Sequence, residues 1–361
     1  MSLQPLEWRK LPVRTLPAIL PNITASYCLN VIYDMLTGSL YHDGSTRTLG
    51  SGSAWQMPTK FVTGSNTEAV YVFPGFQTVV SQSIIFAGIS PGVSSSNSAT
   101  SVTGGTWTAS FLYIGSVKNA SGSFTQFTSR HPFGSGSYLI GYAPFMNVTH
   151  MTGSSKIAIY ESKEALCVYL SHPYTRYGYF GMAGAIIDPE QSASLNTEAD
   201  GRLYGIISNN AVATGSIAEG LTAGMPTDFH RNAVSSGLTA FAFSGNSSAT
   251  GYRGSFTVIY PRQTALLTAT TDKNYTSFNT SMLSNGYTTL GGRLVRTPMY
   301  CKVQERNSTA QNAFLGRLRD ISMIKNMPSN VVVRDSSNKI LGFSISQSET
   351  TSSNAVLLNY S

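Results

Sequence analysis

The sequence predicts a mainly β protein, built as one or two sandwich- or barrel-like domains with a single N-terminal helix. Three observations carry that expectation. Short β-branched or aromatic runs outnumber the one helical pattern, 19 Tyr and 17 Phe suit a pleated, half-buried surface, and 33 Gly supply its turns. A chain of 361 residues has the length for a buried core in each of two domains.

Residues 1–21 read as an extended arm. Pro5, Pro12, Pro17 and Pro21 are spaced among Trp8, Leu11, Leu16 and Leu20, a pattern too apolar for a free tail. The arm lies either on a neighbouring subunit or on its own domain, with Trp8, Leu11 and Leu16 as its contact residues. A helix is predicted over 22–37, because Ile23, Tyr27, Val31 and Met35 recur four residues apart, with Cys28 and Ile32 beside them. Pro21 precedes it, Asn22 or Thr24 caps it, and Gly38 stops it.

Beyond the helix the chain reads as strands and turns. Runs at 156–161, 165–170, 238–243, 255–260, 293–303 and 331–334 are β-branched or aromatic and end in turn residues. His42-Asp43-Gly44 marks one turn, and Asp335 to Asn338 joins two strands as a hairpin. The charge-free Ser/Gly/Thr stretch at 90–105 reads as a long loop. A similar stretch at 244–251 separates an N-terminal β domain, 22–243, from a basic C-terminal β domain, 252–361.

Charged residues are only 11% of the chain, less than half of the roughly 25% usual for soluble domains. Solubility therefore rests on Ser, Thr, Asn and Gly, as in proteins whose surfaces are mostly covered by neighbours. Five of the seven net positive charges fall after residue 290, whereas Asp188, Glu190, Glu198 and Asp200 form an acidic stretch. These two regions, with Arg317 and Arg319 on the basic side, are expected to meet between subunits. A nucleic-acid groove is disfavoured because the basic residues are spread out and mixed with Glu305, Asp320 and Asp335.

The motifs of common chemistries are missing from the sequence. It has no G-x-S-x-G, H-E-x-x-H or Walker A pattern, and Cys28, Cys167 and Cys301 are too far apart for a CxxC site. Asn196 to Gly201 imitates the start of a calcium loop, but its twelfth position is Ile207 rather than Glu. A solvated acidic turn is therefore expected, with Glu198 and Asp200 the residues a cation would take; no cofactor is called for. Paired acids at 188–200 also admit a polysaccharide hydrolase as a rival, although the expectation is no enzyme. The first ten residues lack an apolar signal-like core, and no run approaches a membrane span, so no membrane partner is expected. The aromatic run from His172 to Phe180 supplies Tyr174, Arg176, Tyr177 and Tyr179, residue types that favour subunit contacts, with glycan stacking as the rival.

Three segments, Phe180 to Asp188, Glu198 to Gly205 and Phe314 to Ile321, look like stretches of uncharacterised virion proteins of large phages. With the composition, the chain resembles structural virion proteins of tailed bacteriophages. That resemblance implies a homo-oligomeric subunit located in the virion, in contact with other virion structural proteins in the tail, neck or baseplate. Its alternatives are a capsid decoration protein and a receptor-binding tail protein that recognises a host-surface glycan.

Overall fold

The computed structural model describes residues 8–17, 23–50, 57–58, 82–89, 111–118, 139–147, 153–162, 165–171, 178–187, 203–208, 232–233, 238–242, 255–259, 289–290, 293–294, 297–304, 312–324, 327–335, 337–346 and 355–359. These are mostly β-strands in antiparallel sheets, with one helix. The N-terminal part contains β1 (Arg9–Lys10), β2 (Arg14–Thr15), α1 (Ala25–Leu36), β3 (Gln82–Ile89), β4 (Phe111–Lys118) and β5 (Leu139–Asn147). There follow β6 (Lys156–Glu161), β7 (Ala165–Ser171), β8 (Gly178–Ile187), β9 (Leu203–Ser208), β10 (Asn232–Ala233) and β11 (Leu238–Ala242). The C-terminal part contains β12 (Ser255–Ile259), β13 (Thr289–Leu290), β14 (Arg293–Leu294), β15 (Thr297–Gln304), β16 (Asn312–Ile324), β17 (Val331–Arg334), β18 (Ile340–Ile345) and β19 (Ala355–Asn359).

The helix forms where the periodicity places it. Thr24 is the N-cap, its hydroxyl accepting from the Tyr27 N–H at 3.1 Å. At the other end the Thr37 N–H reaches back to the Tyr33 carbonyl, and Gly38 follows outside the helix. Cys28, Leu29, Ile32, Met35 and Leu36 are buried, and the helix lies against β3, β4 and β6.

Fourteen of the described strands belong to one sheet, whose central path runs β1-β6-β7-β8-β16-β19-β18-β17. In β6 and β7 nearly every side chain is buried, because both faces are covered. One face carries Ala158, Tyr160, Cys167, Tyr169, Phe180, Met182, Tyr204 and Ile206 into the main core. On the opposite face Ile157, Ile159, Leu166, Val168 and Leu170 are also buried. A three-stranded sheet, β3-β4-β5, packs near β8 and β9.

Two glycines in β8 make the main core possible. A Cβ at Gly178 would overlap the Tyr169 ring, and one at Gly184 would stand 2.6 Å from the Ala165 Cβ and 2.7 Å from the Tyr204 hydroxyl. The two Tyr rings therefore lie over the backbone of β8 at positions where only a glycine leaves room.

Strands before and after 244–251 share this core. β8 pairs with β16 through Ile187 opposite Arg317 and Ile186 opposite Leu318. Leu318, Ile321, Phe343, Ile345, Val356 and Leu358 join the same buried cluster as Trp8 and Tyr160. The expected division at 244–251, itself outside the described residues, thus does not separate two cores. Five strand steps of about 4.8 Å would hold β6 and β18 some 24 Å apart in a flat sheet. The Tyr160 and Phe343 rings are instead 5.0 Å apart, so the path folds back on itself.

The expected strand over 293–303 is two elements: β14 pairs with β13, and β15 pairs with β12 and β16. The hairpin after β17 forms as expected. Asp335 Oδ1 accepts from the Ser337 N–H and hydroxyl and from the Lys339 N–H, while Asn338 takes a left-handed φ of 65°.

Candidate interaction site

The described part of the arm occupies a slot in its own domain. Arg9 and Lys10 lie opposite Glu161 and Tyr160, and Arg14 and Thr15 lie opposite Ile157 and Lys156. The Leu11 N–H donates to the Ile159 carbonyl at 2.8 Å, the Leu16 N–H to Ser155 at 2.8 Å, and the Ser154 N–H to Leu16 at 3.0 Å. On its other side the Lys10 carbonyl accepts from the His42 N–H at 2.8 Å. The arm is therefore hydrogen-bonded between the edge of β6 and the turn at 41–46.

That turn is shaped by local polar groups. Asp43 Oδ1 accepts from the Ser45 N–H at 2.9 Å and from its hydroxyl at 2.5 Å, Gly44 takes φ +83°, and Leu40 bridges to Thr46. The bonds from Ser45, with help from Arg9, hold the Asp43 carboxyl down at about 2. Arg9 donates to Asp43 at 3.0 Å and to the Ser45 hydroxyl, and its guanidinium sits 3.9 Å from the centre of the Tyr41 ring.

Beneath the turn lies a buried ion pair. Arg47 Nε and Nη2 donate to the two oxygens of Glu161, each at 2.7 Å, and both side chains are almost wholly inaccessible to solvent. Arg47 Nη1 also donates to the Leu36 carbonyl and, at 3.0 Å, to the Gly38 carbonyl. One guanidinium thus satisfies the end of α1 and fastens it to β6. Tyr41 is raised to about 12, first by burial and then by the charge and hydrogen bond of Glu161.

The far side of the arm meets the C-terminal part. Lys10 Nζ donates to Asn330 Oδ1 at 3.1 Å, and the Tyr160 hydroxyl donates to the same oxygen. Asn330 holds a φ of 60° and donates its N–H to the Ser344 carbonyl at 2.7 Å. Lys10 is pushed below the usual lysine value by burial and by the positive charge of Lys156. The polar side chains of Arg9, Lys10, Asp43, Arg47, Glu161 and Asn330 thus each face a partner, an arrangement suited to fastening a strand rather than transferring protons.

The chain matches no family model, no curated protein and no solved structure.

Of the expected contact residues, Trp8, Leu11 and Leu16 are buried within their own chain, so the second of the two readings of the arm describes this structure. Tyr179 is buried on β8 opposite Leu170, and burial raises its hydroxyl pKa. Tyr174, Arg176, Tyr177, Glu198 and Asp200 lie outside the described residues, as does the loop at 90–105. Arg317 and Arg319 lie on β16, where the backbone of Arg317 is opposite Ile187 of the same chain. The residue before the acidic stretch is therefore beside Arg317 within one chain.

The calcium-loop reading is corrected by the sheet. Residues 203–207, which would be the last five positions of that loop, belong to β9 and pair with β8 and β11. Among the described residues no three His, Cys, Asp or Glu side chains are gathered for a metal ion, and no helix is long and apolar enough to cross a membrane. The slot residues Arg47, Glu161 and Asn330 were missed in the sequence. Their signal was a charged residue ending the apolar run Ile-Ala-Ile-Tyr, since a charge buried there requires a partner.

Proposed function

We propose that this protein is a repeated structural subunit of a tailed-phage virion, assembling through contacts with copies of itself and other virion proteins in the tail, neck or baseplate. The observation that carries this reading is an 11% charged content in a chain whose described residues are mostly antiparallel strands. Such a surface gains by being covered, and burial of apolar and aromatic area drives that covering. The same reading takes the folded-back strand path as a β-sandwich. Its support is the single cluster joining Tyr160 and Met182 to Phe343 and Leu358.

Negative-stain microscopy of the concentrated protein tests the proposal, with rings, tubes or sheets of regular symmetry as the expected result. Single particles of monomer size at every concentration would overturn it. The aromatic run favours a second reading, a glycan-binding tail protein. Saturable binding on an array of bacterial surface glycans, lost in Tyr174→Ala with Tyr177→Ala, would select it.

A further inference from the structure

We infer that the slot holding residues 8–17 is also a subunit interface, filled in the assembled state by the same arm of a second copy. This inference rests on the assembly reading and names the partner and surface for it. The slot is a built receptor with a backbone ladder on β6, a second backbone donor at His42, an acidic group at Asp43 for Arg9, and the Asn330 amide oxygen for Lys10. Trp8, Leu11 and Leu16 fill its apolar part to complete burial. Each of these contacts is made between the arm and the body of the chain. A second copy therefore satisfies all of them identically, and exchange creates no new unpaired group.

What changes between the closed and exchanged forms is the connection. Residues 18–22, between Pro17 and the start of the described helix segment at Ile23, span on the order of 20 Å when extended. The neighbour's slot must then lie within that reach. At the high local concentration of an assembly such linked exchange is favoured, because each arm joins two bodies without loss of contacts.

The test uses a cross-strand pair that leaves the core untouched. Thr15 and Lys156 lie directly opposite in the ladder and are both exposed. In the full-length chain carrying Thr15→Cys and Lys156→Cys, opposed antiparallel positions are close enough for a disulfide after mild oxidation. Monomer and oligomer fractions are compared on non-reducing gels, with the unsubstituted chain as blank for Cys28, Cys167 and Cys301, and the linked peptides are identified by mass. The expected result is a ladder of dimers and larger species in the oligomer fraction, joined by disulfides between position 15 of one chain and position 156 of another. Co-expressing the two singly substituted chains, Thr15→Cys and Lys156→Cys, should likewise give linked dimers, which neither chain gives alone. Oligomers in which positions 15 and 156 are joined only within single chains would overturn arm exchange and leave the assembly reading standing. A chain that never oligomerises would overturn both.

Discussion

The two ends of the strand path meet in space but are closed in different ways. At the β1 and β6 end, the arm covers the edge, and two charged groups, Arg47 and Glu161, are buried beneath it with their hydrogen bonds made. At the β17 end, a tight hairpin turn stabilises the strand locally, and Val331 and Val332 remain more than a third exposed. The first end depends on contacts between residues far apart in sequence; the second depends mainly on its own short turn. An edge covered by a distant segment can be uncovered, whereas a hairpin edge is either formed or unfolded.

The largest expected effect comes from breaking the buried pair. Glu161→Gln leaves the Arg47 charge buried beside a neutral amide and should cost about 3–5 kcal/mol in urea unfolding. Replacing both partners, Arg47→Met with Glu161→Leu, should recover a substantial part of that loss. The next effect is that of Trp8→Ala, for which truncation of a fully buried indole predicts a loss of about 3 kcal/mol. Hydrogen exchange in that variant should rise first along β6, and a uniform rise across β17 and β18 would erase the distinction between the two ends.

A smaller effect separates the ends by pH. The Asp43 carboxyl is held at about 2, below its ordinary value of 3.8, by Ser45 and Arg9. A depressed carboxyl stabilises the fold above its unfolded pKa, and that contribution is lost as pH falls through the folded value. Between about pH 4 and pH 2 the 41–46 turn should therefore loosen its hold on the arm, with faster amide exchange at His42. Asp43→Asn should show that faster exchange at neutral pH. The smallest effect belongs to the other end: Val331→Thr or Val332→Thr should change stability by no more than about 0.5 kcal/mol.

How far the sequence was legible follows from the same physics. The helix was plain because its apolar spacing and its Thr24 cap agree, and β6 was plain because an apolar run ends abruptly at polar residues. Strand β8 was harder to recognise, since its glycines at 178, 181 and 184 resemble turn signals. Those at 178 and 184 are explained only by the rings of Tyr169 and Tyr204 from neighbouring strands. Strand β5 hides behind Gly141 and Pro144, the proline being accommodated at the edge of its three-stranded sheet. In the arm, the apolar residues announced burial but not the surface that buries them, because β6 and Asn330 are far along the chain. The pairing of Arg47 with Glu161 was likewise hidden by a separation of 114 residues, which no local pattern spans.

Sedimentation equilibrium of the full-length chain over a wide concentration range tests the central claim most directly, since a structural subunit must associate with itself. The account predicts a mass that rises from the 38.7 kDa monomer to a defined oligomer as concentration increases. It also predicts that moderate salt leaves the oligomer intact, because apolar burial holds it. A constant mass of 38.7 kDa at every concentration and salt would contradict it.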